Sequence, residues 1–184
     1  EDDYFQSSLF TITRRRILWL LILVLANGLT TKVIAMNDQI LKEIVLLAAF
    51  IPLLIGTGGN VGAQSSTVVI RGLSTQKLKS LGAIRAVVKE AITGALLGVF
   101  MMLVVFPFAW WQGEGPLIAS AVGISLISIT TLAATTGAIL PLLFDKMKLD
   151  PALMSSPFIT TVTDIAGVFI YLSTAKWLLN SSLS

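Results

Sequence analysis

Long apolar stretches separated by short polar joints are the feature that most constrains what this chain can fold into. Several stretches reach the roughly 20 residues that an α-helix needs to cross a bilayer. Only 12% of the 184 residues are charged, whereas a soluble domain carries about a quarter. In hydrocarbon a helix satisfies its own backbone hydrogen bonds, which irregular segments do not. The sequence therefore predicts an all-α membrane protein.

The positions of the joints predict five transmembrane helices. The first span begins at Ile17, directly after three arginines, and ends at about Met36. The other four are predicted over 40–71, 84–111, 117–144 and 151–179. Proline is favourable in the first turn of a helix, so Pro151 is expected to begin the fifth. The chain contains no internal repeat, so a symmetric pore would need two or more copies.

The basic residues predict a cytoplasmic N-terminus and a periplasmic C-terminus. With that orientation ten of the thirteen lysines and arginines lie on the cytoplasmic side, where short loops of membrane proteins concentrate them. Trp110, Trp111 and Trp177 then fall at the outer interface, where tryptophan is enriched. The pI near 9.4 thus reflects residues that flank membrane spans, and a nucleic-acid partner is not predicted.

The absence of cysteine and histidine narrows the chemistry. It removes thiolate and imidazole metal sites and the usual Ser/His and Cys/His catalytic arrangements. Metal binding would have to use oxygen ligands, which suit hard cations such as Mg²⁺ and Ca²⁺. No group of residues indicates an enzyme.

Asp164 is the most informative single residue. It lies about 14 residues into the fifth span, which at 1.5 Å per residue is about 20 Å along it and close to the bilayer midplane. A carboxylate there costs roughly 2.5–3.5 kcal/mol on insertion scales, and no lysine or arginine lies at a comparable depth. We therefore predict that Asp164 faces a cation path. The alternative is a protonated Asp164 hydrogen-bonded to a serine or threonine.

The neighbours of Asp164 favour the cation path. Pro157, Thr160, Thr161 and Gly167 lie three, four or seven positions away and so share its helix face. Pro157 has no backbone N–H, and carbonyls that it frees are expected near the carboxylate. An ordinary packed kink is the alternative interpretation of Pro157.

The second span carries a polar stripe, formed by Asn60, Gln64, Thr67 and Arg71 at spacings of four, three and four. Such a stripe suits a water-filled passage, because amides and hydroxyls hydrogen-bond water and hydrated cations. The alternative is a seam of small residues in which the amides join neighbouring helices.

We predict structural roles for two glycines of the third span and four threonines of the fourth. Gly94 and Gly98 form a GxxxG pattern that is typical of helix packing. Four threonines of the fourth span are expected to bond their own helix: Thr130, Thr131, Thr135 and Thr136.

Two segments carry a resemblance to a known family. The runs PLLIGTGGNVGAQ at 52–64 and PFITTVTD at 157–164 resemble the membrane domain of the MgtE family of magnesium channels, and the resemblance covers essentially the whole chain. It implies a five-helix domain that forms a homodimer in a bacterial inner membrane. It also implies a pore on the dimer axis, lined mainly by the second and fifth helices, that conducts hydrated Mg²⁺, with Mn²⁺ and other divalent cations as further candidate substrates.

The resemblance also assigns residues. Asp164 corresponds to the carboxylate that, paired with its copy in the second subunit, selects Mg²⁺. The pore-lining candidates are Asn60, Gln64, Thr67, Thr160 and Gly167.

The resemblance further implies cytoplasmic regulatory domains upstream of the pore. We interpret residues 1–13 as a junction to such domains, with Glu1, Asp2 and Asp3 as weak regulatory candidates, and residues 14–184 as the pore domain.

Two other functions stay open at this point. One is a secondary transporter of divalent cations in which Asp164 alternately binds a proton or Na⁺ and the substrate. The other is a structural membrane subunit with no ion path, which would tolerate substitution of Asp164.

Overall fold

The computed structural model describes residues 8–75, 82–111 and 115–183, and nearly all of them are helical. The helices of the described residues are α1 (Leu9–Ala35), α2 (Asp38–Glu43), α3 (Val45–Ser74), α4 (Ala83–Ala109), α5 (Gly115–Lys146) and α6 (Pro151–Leu183).

The predicted all-α membrane architecture is confirmed for four spans. Within the described residues, α3, α4, α5 and a segment of α6 (Ser155–Asn180) are long and apolar enough to cross a membrane. The apolar part of α1 is shorter, Leu20–Ala35. A fifth span at α1 therefore remains a prediction, as does the orientation of the bundle.

The prediction of one continuous helix over 40–71 is wrong at its beginning. The chain leaves helical geometry at Ile44, with φ −130° and ψ 83°, and this residue separates α2 from α3. Ile44 and Val45 are both β-branched, which lowers their preference for helix. Ile40 of α2 is buried in the same hydrophobic core as Leu47 of α3, so packing holds the short helix at its own angle.

A tight turn joins α5 to α6. Lys148 has a positive φ of 59°, the Leu149 N–H donates to the Phe144 carbonyl and the Lys148 N–H donates to that of Asp145. This is the Schellman arrangement that ends many helices. Pro151 then begins α6, as predicted.

Helix α5 is the centre of the bundle and packs against α3, α4 and α6. In its most apolar window 61% of the residues are buried, against 17% for α4. Helix α1 packs on α6. The central position of α5 thus leaves α4 on the periphery, with an exposed apolar face.

Contacts made by two glycines of α3 define the helix directions. A Cβ on Gly58 would meet Ile129 of α5 and Thr163 of α6, and one on Gly62 would meet Ala133 and Ile159. Along α3, the α5 residues in contact therefore ascend in number while the α6 residues descend. Helix α3 thus runs parallel to α5 and antiparallel to α6.

Glycines form close crossings between α5 and its neighbours. We call Gly62, Gly94, Gly98 and Gly137 the glycine seam. A Cβ on Gly137 would collide with the Gly62 carbonyl, and one on Gly94 would lie 2.5 Å from the Thr130 carbonyl oxygen. Such close approach requires residues without a side chain. The packing role predicted for Gly94 and Gly98 is therefore confirmed.

Three of the four threonines of α5 that were predicted to bond their own helix do so. The Thr130 hydroxyl donates to the Leu126 carbonyl at 2.7 Å, and the Thr131 hydroxyl to that of Ile127 at 2.7 Å. Thr135 repeats the pattern with Thr131 at 2.6 Å. The protons of these hydroxyls are thus used within the helix.

Candidate ion pathway

Asp164 lies about a third of the way along the apolar segment of α6. It is nine residues beyond Ser155, about 14 Å along a segment of about 39 Å. Its side chain is half-buried. A carboxylate at this depth is costly unless it has a partner, water or an ion.

The carboxylate of Asp164 has no hydrogen-bond or ion-pair partner among the described residues. Two nearby hydroxyls donate to carbonyls of their own helix. Thr163 donates to the Ile159 carbonyl at 2.8 Å, and Thr160 donates to that of Pro157 at 3.0 Å. Among the described residues, the alternative of an Asp164 hydrogen-bonded to a neighbouring hydroxyl therefore has no observed bond to support it.

Pro157 lies inside a continuous helix. Because proline lacks an N–H, it frees the carbonyl four residues earlier, at position 153. That carbonyl is eleven residues from Asp164, about 16 Å along the axis. It is therefore too far away to share an ion with the Asp164 of its own chain, and the expectation of freed carbonyls beside the carboxylate is not met.

The polar stripe lies on the outer surface of α3. Asn60, Gln64, Thr67 and Arg71 are all exposed. The Thr67 hydroxyl donates to the Ala63 carbonyl at 2.9 Å, whereas the amides of Asn60 and Gln64 have no partner among the described residues. The stripe is therefore not glue between helices of one chain, because the packed side of α3 is the one that carries its buried glycines.

The contacts between α3 and α6 place Asp164 beside the beginning of the stripe. Since Gly58 faces Thr163 and Gly62 faces Ile159, Asp164 lies at the height of about position 57 of α3. The stripe then extends from about 5 Å to about 20 Å away along the axis, toward the C-terminal end of α3. A single chain thus presents an exposed polar stripe with one carboxylate near its beginning.

The remaining pore-lining candidates, Thr160 and Gly167, lie in different surroundings. Thr160 is half-buried, and a Cβ on Gly59 would lie 4.0 Å from its methyl group, so it borders α3 next to the stripe. Gly167 is buried against Ile129 of α5. This departs from the expectation based on its offset from Asp164, because the side of α6 at Gly167 is turned toward the central helix. Glu1, Asp2 and Asp3 lie outside the described residues.

Ser156 is a polar residue that the sequence analysis passed over. Its side chain is exposed, and its carbonyl accepts a hydrogen bond from Thr160 at 3.3 Å. The sequence did contain a signal for Ser156, because it lies four residues before Thr160 and eight before Asp164 and so shares their helix face.

The described residues contain no cluster of three or more His, Cys, Asp and Glu side chains that would hold a metal ion. Asp164 and the stripe residues are spread over about 20 Å along the axis, so in one chain they do not converge to supply the six oxygens that Mg²⁺ prefers. The arrangement suits an ion that keeps its water.

Comparison with known proteins identifies the family. A profile described as "MgtE: Divalent cation transporter" matches residues 51–174, which include most of α3 and Asp164. The chain belongs to the MgtE family. Because this is a family of transporters, the prediction that the chain is not an enzyme is confirmed.

Named relatives agree with this assignment. The chain is 39% identical over 166 residues to "Magnesium transporter MgtE" of Thermus thermophilus, covering 90% of this chain and 37% of that protein. It is 33% identical over 182 residues to the Bacillus subtilis protein of the same name, covering 98% and 40%. An Enterococcus faecalis protein, also so named, is 35% identical over 166 residues, covering 88% and 36%. The chain thus spans about two fifths or less of the length of these relatives.

Proposed function

We propose that this chain is the pore-forming part of a Mg²⁺ channel, in which two copies place their Asp164 carboxylates on a shared axis. The observation that carries the proposal is that Asp164 is half-buried within the apolar segment of α6, has no partner among the described residues, and lies at the beginning of the exposed polar stripe. The relatives' printed name, magnesium transporter, supports the choice of ion. Asn60, Gln64, Thr67 and Thr160 line the path.

A second copy of the chain covers the polar surface that one chain leaves exposed. The polar stripe is exposed, and polar side chains facing lipid are unfavourable. Two copies that bring their α3 and α6 surfaces together enclose both stripes around a water-filled passage. The surface that is costly in lipid then becomes the lining of the pore.

The electrostatics of a carboxylate pair favour a hydrated divalent cation. Mg²⁺ dehydrates reluctantly, so a site of two carboxylates about 8 Å apart lets it keep its first-shell water. At that separation the two charges repel by roughly 2 kcal/mol at an effective dielectric of 20. A divalent cation offsets that repulsion more fully than a monovalent one. Selectivity then follows from charge rather than from a close-fitting cage.

The proposal is tested with Asp164→Asn. Asparagine keeps the volume and polarity of the side chain and removes its charge, so insertion and packing should persist. Loss of both charges should weaken Mg²⁺ occupancy by more than tenfold, about 1.4 kcal/mol, while Na⁺ leak rises. Mg²⁺ and Na⁺ fluxes are measured in liposomes at matched protein levels.

Wild-type Mg²⁺ flux and selectivity in Asp164→Asn would refute the carboxylate filter. Single-channel currents in the wild-type protein separate a channel from a coupled transporter, because a transporter turns over too slowly to give them.

The proposed orientation has its own test. The chain has no cysteine, and Ser74 at the end of α3 and Asn180 near the end of α6 are both exposed. A cysteine at position 180 should react with an impermeant thiol reagent from the periplasmic side, and one at position 74 should not. The reverse labelling pattern would overturn a cytoplasmic N-terminus.

A further inference from the structure

Two open grooves lie at the end of the bundle where α4 begins and α5 ends. The larger, of about 930 Å³, is lined by residues from the ends of α3, α4 and α5. The smaller, of about 490 Å³, follows the first three turns of α4. Ile84 and Val88 line both and form the ridge between them.

The walls of the grooves are apolar and exposed. Ile84 is 80% exposed and Val88 51% exposed, and Ile139 and Leu143 of α5 form the facing wall of the larger groove. Because this surface lies on a membrane-spanning helix, a hydrocarbon chain is the natural occupant of such a groove. Apolar walls alone do not distinguish one lipid from another.

Basic side chains give the lining of the two grooves a net positive charge. Arg85 and Lys89 line the smaller groove, and Lys146 lines the larger. Asp145 is the one acidic residue among the described lining residues of the two grooves, so three positive charges face one negative charge and the net charge is +2. None of the three basic side chains has an ion-pair partner among the described residues.

The depth of these residues matches the level of lipid phosphates. Helix α4 has 27 residues and is therefore about 40 Å long, whereas the hydrocarbon core is about 30 Å thick. About 5 Å of helix then extends beyond the core at each end. Arg85 lies about 3 Å from the start of α4 and Lys89 about 9 Å, and a lysine at that depth extends its amine toward the interface.

We propose that this surface binds an anionic phospholipid. The phosphate lies between Arg85 and Lys89 with Lys146 nearby, and an acyl chain occupies the groove between α4 and α5. Basic pockets between membrane helices recognise anionic headgroups in this manner. Leu73 and Ser74 also line the larger groove, so the bound lipid contacts the end of α3. The lipid composition of the membrane thus acts on the end of the helix that carries the polar stripe.

The test is native mass spectrometry of the purified protein, titrated with phosphatidylglycerol or with phosphatidylcholine. The wild-type protein should bind phosphatidylglycerol at least tenfold more tightly. Each basic residue near the surface contributes about fivefold, so the double variant R85Q/K89Q should lose about 25-fold in affinity for phosphatidylglycerol and keep its affinity for phosphatidylcholine. Lys32→Gln, at an exposed basic residue of α1 outside both grooves, is the matched control and should change neither.

Conservative replacement separates charge from shape. Arg85→Lys should restore most of the preference that Arg85→Gln removes, because it keeps the positive charge. Equal affinity for the two lipids in the wild-type protein would overturn the proposal, and so would an unchanged preference in R85Q/K89Q. A double variant that loses its dimeric mass while lipid binding is unchanged would assign the surface to a second copy of the chain instead.

Discussion

The polar stripe and the glycine seam meet on helix α3, where Gly62 lies between Asn60 and Gln64, yet the two lie in opposite environments. Asn60 and Gln64 are exposed, whereas Gly62, between them in the chain, is buried where α3 crosses α5. A helix turns by about 100° per residue, so positions two apart lie on nearly opposite sides. The segment therefore serves two purposes at once, since one side fixes the helix in the bundle and the other is free to contact water or a second subunit.

This difference teaches that small and polar residues have no single meaning in a membrane helix. In the seam their value is the absence of a side chain, and any added atom collides with backbone. On the stripe their value is hydrogen-bonding capacity toward something outside the chain. Substitution in the seam should therefore lower stability, whereas substitution in the stripe should lower ion flux.

The largest expected effect lies in the seam. Gly137→Ala would drive a Cβ into the Gly62 carbonyl, and because both partners are backbone, relief requires the helices to move apart. Unfolding in detergent should show a loss of roughly 2–3 kcal/mol in the free energy of unfolding. Gly56→Ala is the control, since a Cβ there meets nothing within 4 Å, and its stability should stay within about 0.5 kcal/mol of wild type. Equal stability of the two variants would show that the close crossing of α3 and α5 is not real.

The second effect lies in the stripe and should appear in flux rather than in stability. Asn60→Leu removes an exposed amide that has no partner among the described residues, so folding should persist while Mg²⁺ flux in liposomes falls about tenfold, roughly 1.4 kcal/mol. Thr131→Val is the control, because that hydroxyl bonds the Ile127 carbonyl of its own helix. Wild-type flux in Asn60→Leu would remove Asn60 from the path.

A third comparison tests which exposed side meets the second copy. A cysteine in place of Ala63 lies on the exposed side of α3, and one in place of Leu96, which is 66% exposed, lies on the outer side of α4. With a short bifunctional thiol reagent in membranes, the first should give a severalfold excess of covalent dimer over the second. A higher yield at position 96 would move the subunit interface to α4.

The smallest effect is expected within the stripe itself. Thr67 already donates its hydroxyl to the Ala63 carbonyl, so Thr67→Val should lower Mg²⁺ flux by less than about twofold, roughly 0.4 kcal/mol. Gln64→Leu, which removes an amide without such a bond, should have the larger effect in the same liposome assay. If Thr67→Val proved the more damaging of the two, hydroxyls rather than amides would contact the ion's water.

Sequence patterns located most helices and the packing role of Gly94 and Gly98, because span length and the GxxxG spacing are local properties. They missed the break at Ile44, where burial of Ile40 in the core overrides the continuation of the helix. They also placed Gly167 on the pore side from its offset alone. Which side of α6 is buried depends on where α5 lies, and the sequence of α6 alone does not contain that information.

By itself the sequence determined an all-helical membrane chain, a carboxylate within an apolar span without a basic residue at its depth, and a polar stripe at helical spacing. These follow from composition and from the period of the helix, which hydrocarbon enforces by requiring internal backbone hydrogen bonds. Only the tertiary structure decided which side of each helix is covered. Helix α5 occupies the centre because Gly62 and Gly137 let α3 approach it within backbone contact, and Gly94 and Gly98 of α4 do the same for α4. That packing leaves Asn60 and Gln64 exposed and Asp164 without a partner among the described residues.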